Sequence, residues 1–365
     1  MAQIRVEALN KSFGEFHAVK GASFTVDDGQ FLCLLGPSGC GKTTTLRMIA
    51  GLELPTSGTI SVDGEDVTMN RASARDIAFV FQLFALYPHM NVRRNIGFPL
   101  KCEGIGAAER DRRVVEAARI LRISHLLDRS VSTLTGGDRQ RVALGRAIVR
   151  KPKCFLMDEP LGALDTEMRE AMIQELRALH DRLGATTVYV THDQLEAMAM
   201  ADLIAVMNNG VVEQIASPRD IYDRPVSLFV ADFIGSPAMN FLPFRGSLQA
   251  GAQAIRLGDR EVAIPTAREA LVESDLVLGV RPEHVRFSDS GVVRGEIYGS
   301  EYLGTTQIVT VTTSYGALKA RSPASMPFQI GVNVGLDFRP DTLSLFDQGS
   351  GRAIRTALYE GGEHG

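Results

Sequence analysis

The stretch GPSGCGKT at residues 36–43 constrains this chain more than any other. It fits the pattern G-x-x-x-x-G-K-[ST] through Gly36, Gly41, Lys42 and Thr43, and it follows a short continuous apolar run, FLCLL, at residues 31–35. Such a run reads as a strand buried on both faces, and the TTTLRMIA that follows reads as a helix ended by Gly51. Strand, glycine-rich loop and helix together form a cradle for phosphate. Gly36, Pro37, Ser38, Gly39, Cys40 and Gly41 supply the curl, in which backbone N–H groups face the β- and γ-phosphates. Lys42 adds an ammonium group, Thr43 and Thr44 open the helix, and the Thr43 hydroxyl can reach Mg²⁺. The positive end of the helix points at the anion.

Three further pieces are expected at the same sheet edge. CFLMDE (154–159) reads as a buried strand that ends in Asp158, an aspartate placed to hold Mg²⁺. Glu159 follows at once and can deprotonate an attacking water. TTVYVTH (186–192) is another strand candidate and ends in His192, whose imidazole can hydrogen-bond a γ-phosphate. Gln82 closes the apolar run before it, with an amide oxygen able to reach the metal or the water. The helix between the two strands is expected to begin at the N-cap Asp165 and to stop at Gly184. Strands alternating with helices imply a mostly parallel sheet.

The length of 365 residues allows two domains in up to three lobes, and 45% hydrophobic residues suffice for ordinary cores. Net charge is −4, with no long basic run, so no nucleic-acid partner is expected. Cys33, Cys40, Cys102 and Cys154 are scattered as free thiols rather than spaced as a metal site. The N-terminus lacks a signal-peptide core, and no apolar stretch approaches the roughly 20 residues of a membrane-spanning helix. A soluble intracellular protein is therefore expected. Residues 1–30 read as antiparallel strands, and about 84–150 as a helical insert. From about Asn240, short alternating runs such as LVLGV, VRGEIYG and QIVTVTT read as a small all-β barrel or sandwich. The expected division is an α/β nucleotide-binding domain over 1–235 and a β-rich domain over 236–365. The segment 217–240 connects them, and GGEHG ends the chain as a mobile tail.

A second glycine-rich stretch, LTGGDRQR (134–141), opens another helical run but has no lysine. It can be an ordinary helix start, or half of a nucleotide pocket completed by another copy. LTGGD resembles the LSGGQ signature of ABC-type ATPases. The order GPSGCGKT, Gln82, LTGGD, CFLMDE, LGALD, His192 matches that family. The resemblance implies a P-loop ABC ATPase fold, a mixed sheet with a helical subdomain, followed by an all-β, OB-like regulatory domain. It also implies a head-to-tail homodimer that buries two ATP molecules with Mg²⁺, hydrolysed with Glu159 as base and His192 beside it. In each site Thr43, Gln82 and Asp158 surround the metal and Phe13 stacks on adenine. Thr135, Gly136, Gly137, Asp138 and the D-loop Asp165 reach the partner's nucleotide. The chain departs from the family at Asp138, commonly glutamine, at Gly162, commonly serine, and at Thr135, which keeps the usual hydroxyl. Arg139 and Arg141 are expected to offset Asp138.

QLFALYPHMNVRRNIGFPL (82–100), IGSPAMNFLP (234–243), GVRPEHV (279–285) and EYLGTT (301–306) look like bacterial carbohydrate importers of the maltose and glycerol-phosphate type. The resemblance implies two membrane permease subunits as partners, an extracytoplasmic solute-binding protein upstream, and a peripheral place on the cytoplasmic face of the plasma membrane. Coupling helices of the permease are expected near Leu83 to Pro88. The alternative is a soluble ABC ATPase acting as a remodelling or regulatory factor. Such factors usually join two ATPase units, whereas one set of motifs is visible here. A DNA-repair ATPase needs a long coiled coil between the phosphate loop and the signature, for which there is no room.

Overall fold

The computed structural model describes residues 2–162 and 164–360. The proposed tail GGEHG lies outside them, as does Ala163 within LGALD. The chain divides into two compact units, 1–218 and 219–365.

The first unit runs β1 (Ile4–Phe13), β2 (Phe16–Val26), β3 (Phe31–Leu35), α1 (Lys42–Ile49), β4 (Ser57–Val62), β5 (Glu65–Asp66), β6 (Ile77–Val80), α2 (Val92–Cys102), α3 (Ala107–Ile120), α4 (Gly136–Ile148), β7 (Cys154–Asp158), α5 (Thr166–Leu183), β8 (Thr186–Thr191), α6 (Gln194–Met200), β9 (Leu203–Asn208) and β10 (Val211–Ala216). Six strands form the central sheet in the order β10-β9-β3-β8-β7-β6. All its pairings are parallel except β10 against β9. Every residue of β3, β7 and β8 is buried, which is why these strands read as unbroken apolar runs rather than alternating ones. A second, antiparallel sheet, β2-β1-β4-β5, carries the N-terminal residues, and its apolar face shares one core with the central sheet and α1.

Local chemistry sets the ends of α5 as the sequence predicts. The Asp165 carboxylate accepts from the Met168 N–H at 2.9 Å, and Gly184 closes the helix at φ +57°. The helical insert is α2 to α4.

The second unit has α7 (Pro218–Asp223, beginning one residue before the boundary), α8 (Leu228–Phe233), β11 (Asn240–Leu248), β12 (Ala254–Leu257), β13 (Arg260–Ala263), β14 (Leu271–Val280), β15 (Val285–Phe287), β16 (Val293–Tyr302), β17 (Thr306–Thr313), β18 (Gly316–Pro323), β19 (Asn333–Phe338) and β20 (Ser344–Asp347). Its sheets are β11-β14-β20, β12-β13 and β15-β19-β16-β17-β18, closed over one apolar core. The contacts put residues 219–235 with this unit, whereas the sequence division falls at 235/236. Arg281 supplies a physical reason. It is 2% exposed, and its guanidinium donates to the carbonyls of Tyr222, Ala231 and Ile234, so it ties both short helices to the β domain.

Candidate nucleotide site

β3 delivers the glycine loop to the carboxyl edge of the sheet. Gly41 sits at φ +103°, and a Cβ there would stand 2.4 Å from the Ala18 carbonyl oxygen, so only glycine fits. The α1 N-terminus has no side-chain cap and no acid in its first turn, which leaves its N–H groups for an anion. Lys42 is 4% exposed, and its Nζ donates to the carbonyls of Gly36 (2.8 Å) and Pro37 (2.9 Å). A cation is thus held inside a loop with no carboxylate of its own. Cys40 is buried there, its thiol pushed up by desolvation.

The end of β7 meets this loop. Thr43 Oγ1 donates to Asp158 Oδ1 at 2.8 Å. Burial pushes the Asp158 carboxyl up, opposed by that hydrogen bond. The next residue turns sharply, with Glu159 at φ +43° and its N–H donating to the Val190 carbonyl at 3.0 Å. A left-handed backbone at a non-glycine residue costs on the order of 1–3 kcal/mol and needs surrounding structure to hold it. The turn aims the carboxylate at two neighbours. His192 Nδ1 lies 3.2 Å from Glu159 Oε2, and the Gln82 amide nitrogen donates to that same oxygen at 3.4 Å. Three residues from three strand ends meet at one atom.

Behind His192, α6 holds the end of β8. Asp193 caps α6, accepting from Leu195 (2.8 Å) and Glu196 (3.3 Å). Glu196, 3% exposed, accepts from the hydroxyls of Tyr189 (2.8 Å) and Thr191 (2.7 Å) through one oxygen. Desolvation pushes its carboxyl up. No catalytic motif points to Glu196; a charged residue three after the N-cap Asp193 looks like a solvated helix start.

Phe13 ends β1 on the surface, 49% exposed, with Lys11 Nζ 4.8 Å above its ring. The exposed ring is a flat platform of the kind that stacks a base.

The second glycine loop opens α4. Thr135 is its N-cap, accepting from the Asp138 N–H (3.2 Å), while its hydroxyl donates to Asp138 Oδ2 at 2.9 Å. Asp138 also pairs with Arg141 (3.4 Å), which pairs in turn with Glu175 (3.0 Å). Arg139 does not offset Asp138; its guanidinium serves the carbonyls of Val131 and Ser132. Gly136 is exposed and Gly137 buried. The last turn of α4 reaches the segment after Gln82. Arg146 donates to the Phe84 (2.8 Å) and Ala85 (2.6 Å) carbonyls, where both residues take positive φ. Asn95 of α2, fully buried, accepts from the Tyr87 N–H at 2.9 Å and donates to its carbonyl at 3.1 Å. One rigid helix therefore joins the second glycine loop to the Gln82 segment. Arg146 and Asn95 escape sequence reading because nothing local marks them.

Residues 19–162 match the ABC transporter family, 235–285 the MalK OB fold domain and 278–346 the TOBE domain. The sn-glycerol-3-phosphate import ATP-binding protein UgpC of Ruegeria sp. (strain TM1040) is 45% identical over 361 residues, 97% of this chain and 99% of that protein. The trehalose/maltose import ATP-binding protein MalK of Thermococcus litoralis is 45% identical over 381 residues, 97% of this chain and all (100%) of that protein. A dimeric structure of a bacterial ABC transporter cassette aligns with TM-score 0.54 and 31% identity, covering 59% of this chain and 99% of that one. Fold and site together define a P-loop ATPase with an all-β C-terminal domain. The chain belongs to the family of ABC importer ATP-binding subunits, an ATP-hydrolysing family, and this membership favours an importer subunit over a free-standing remodelling factor.

Proposed function

We propose that two copies of this chain close head to tail on two ATP molecules and drive import of a carbohydrate-type solute, a sugar, sugar alcohol or glycerol phosphate. The observation that carries the catalytic part is the meeting of Gln82 and His192 on Glu159 Oε2, beside the Thr43–Asp158 pair. Thr43 and Asp158 are adjacent hard oxygen donors, the kind of set that suits Mg²⁺, and Gln82 can add an amide oxygen. When bound, the ion neutralises charge on the phosphates. Lys42 and the α1 N-terminus hold the β- and γ-phosphates, and Phe13 stacks on adenine. Glu159 takes a proton from water as the water oxygen attacks the γ-phosphorus. The bond to the bridging oxygen breaks, and ADP and phosphate leave. His192 positions the γ-phosphate and that water.

From the other copy come Thr135, the amides of Gly136 and Gly137, the α4 N-terminus and Asp165, with Asp138 close to the phosphate charge. A groove of about 600 Å³ between α2 and α3, lined by His89, Arg93, Phe98 and Arg110 among others, suits one coupling helix, so that the two copies receive one from each of two permease subunits. It lies just beyond the Leu83–Pro88 segment that sequence points to. Among the described residues no helix is long and apolar enough to cross a membrane, so the permeases hold the chain at the cytoplasmic face. An extracytoplasmic binding protein delivers the solute. The relatives' sugar and glycerol-phosphate import names support the solute class.

The test is Glu159→Gln with Mg·ATP. Turnover falls roughly 10²- to 10⁴-fold, ATP binding persists, and a dimer accumulates on a sizing column. Retained turnover rejects Glu159 as the base, and a chain that stays monomeric both alone and with its permeases rejects the shared site. Screening solutes for stimulated ATP hydrolysis by the permease complex identifies the cargo.

A further inference from the structure

A second concave site lies away from the nucleotide loops. It has a volume of about 750 Å³, within the range of small-molecule pockets. One wall is the insert, through α3 and the end of α4. The other is the core, through the start of β7 and the end of α5. Its floor is apolar, made by Ile120, Ile148, Phe155 and Leu183. Beneath Ile148, Phe155 and Leu183 lies a crevice of only about 10 Å³, reaching Phe31 and His180, so the floor rests on a packed layer.

The rim has the opposite character. Arg113, Arg119, Lys151, Lys153 and Arg182 face one carboxylate, Glu116. Arg113 pairs with Glu109 at 2.7 Å, and Lys153 lies 3.7 Å from Asp63. Among the described residues Arg119, Lys151 and Arg182 have no ion pair. Three unpaired cations thus gather around one apolar depression, in a chain whose 43 acids outnumber its 39 Lys and Arg residues. Dispersed surface charge does not explain such a gathering, since like charges repel and carboxylates are plentiful elsewhere.

We propose that this groove binds an anionic amphiphile of small-molecule size, with phosphate, sulfonate or carboxylate groups on the Arg119–Lys151–Arg182 rim and an apolar or aromatic body on Phe155 and Leu183. Cations alone bind any anion weakly at the surface, and the floor alone binds any grease. Together they select molecules carrying both parts. Such a ligand touches insert and core at once.

The probe is 1-anilinonaphthalene-8-sulfonate, titrated by fluorescence into the full chain with the nucleotide site saturated by Mg·ADP. The expected result is one saturable site per chain, weakened at least about tenfold by the double substitution Arg119→Glu, Lys151→Glu. The uncharged N-phenyl-1-naphthylamine binds at least about tenfold more weakly than the sulfonate. Unchanged ATP hydrolysis and melting temperature certify each variant. If the charge reversal unfolds the chain, Arg119→Gln with Lys151→Gln is read instead. Absence of saturable binding, affinity indifferent to these substitutions, or equal binding of the uncharged probe overturns the proposal.

Discussion

The two glycine loops of this chain begin helices in the same way and treat the helix end in opposite ways. At α1 the N-terminus has no side-chain cap and no acid, and it holds a buried ammonium. At α4 the first turn is already satisfied: Thr135 caps it, Asp138 sits in it, and Arg141 pairs with that carboxylate. The first loop is built to receive an anion unaided. The second offers a hydroxyl and two amides, but its own carboxylate competes for both the hydroxyl and the dipole. On the proposed shared site, difference in capping, more than in glycine content, separates a primary phosphate site from an auxiliary one.

Removing the ammonium tests the first half most severely. Lys42→Ala deletes charge-assisted hydrogen bonds worth about 3 kcal/mol together, so ATP affinity falls roughly 100-fold by equilibrium titration. An affinity within a factor of about three of the parent contradicts the assignment. The second half is tested at Gly136, where an added Cβ meets only a Leu164 methyl at 3.5 Å. Gly136→Asp suits a helix N-terminus and leaves the fold intact, but it repels a phosphate brought by another copy. Its monomer binds ATP normally and its turnover collapses. A mixture of Lys42→Ala and Gly136→Asp chains regains about a quarter of the parental rate: about half the dimers are mixed, and each has one intact site. No recovery on mixing sinks the shared pocket.

Gly137 looks equivalent in sequence and is not in space. A Cβ there would stand 2.4 Å from Met168 Sδ of α5. Met168 is flexible and half-buried, so in Gly137→Ala its thioether swings aside at a cost of under about 1 kcal/mol, whereas in Gly136→Ala nothing need move. Thermal melting is expected to rank Gly137→Ala slightly below Gly136→Ala, and the reverse order contradicts this packing.

What was legible in the sequence is what local chemistry determines. FLCLL and CFLMD read as buried strands because every residue is apolar or strand-terminal, and Asp165 and Gly184 mark α5 because capping is a matter of neighbouring residues. The candidate site is legible because Lys42, Asp158, Glu159 and His192 each end or follow such a strand. Contacts made at long range are not legible. Arg146 holds carbonyls 61 and 62 residues away, and the groove cations Arg119, Lys151 and Arg182 come from separate elements. Arg281 moves residues 219–235 into the second unit through carbonyls 47 to 59 residues distant. Arg139 and Arg141, two positions apart and equally plausible partners for Asp138, are sorted only by where α4 points them.

Asp138→Asn makes the finest cut between the loops. The change removes one negative charge near the incoming phosphate and weakens the acceptor that holds the Thr135 hydroxyl, since an amide oxygen accepts less strongly than a carboxylate, so the hydroxyl is easier to recruit across the proposed interface. It also removes a favourable acid from the first turn of α4, at about 0.3–1 kcal/mol, and leaves Arg141 to Glu175 alone. A charge about 4 Å from another in water is worth about 1 kcal/mol, so the KM for ATP falls roughly five-fold while the melting temperature drops slightly. The two observables move in opposite senses if, as proposed, Asp138 stabilises its own helix at the expense of the partner's nucleotide. If KM and stability both worsen, the carboxylate helps to bind nucleotide, and the contrast between a self-capped loop and an open one fails.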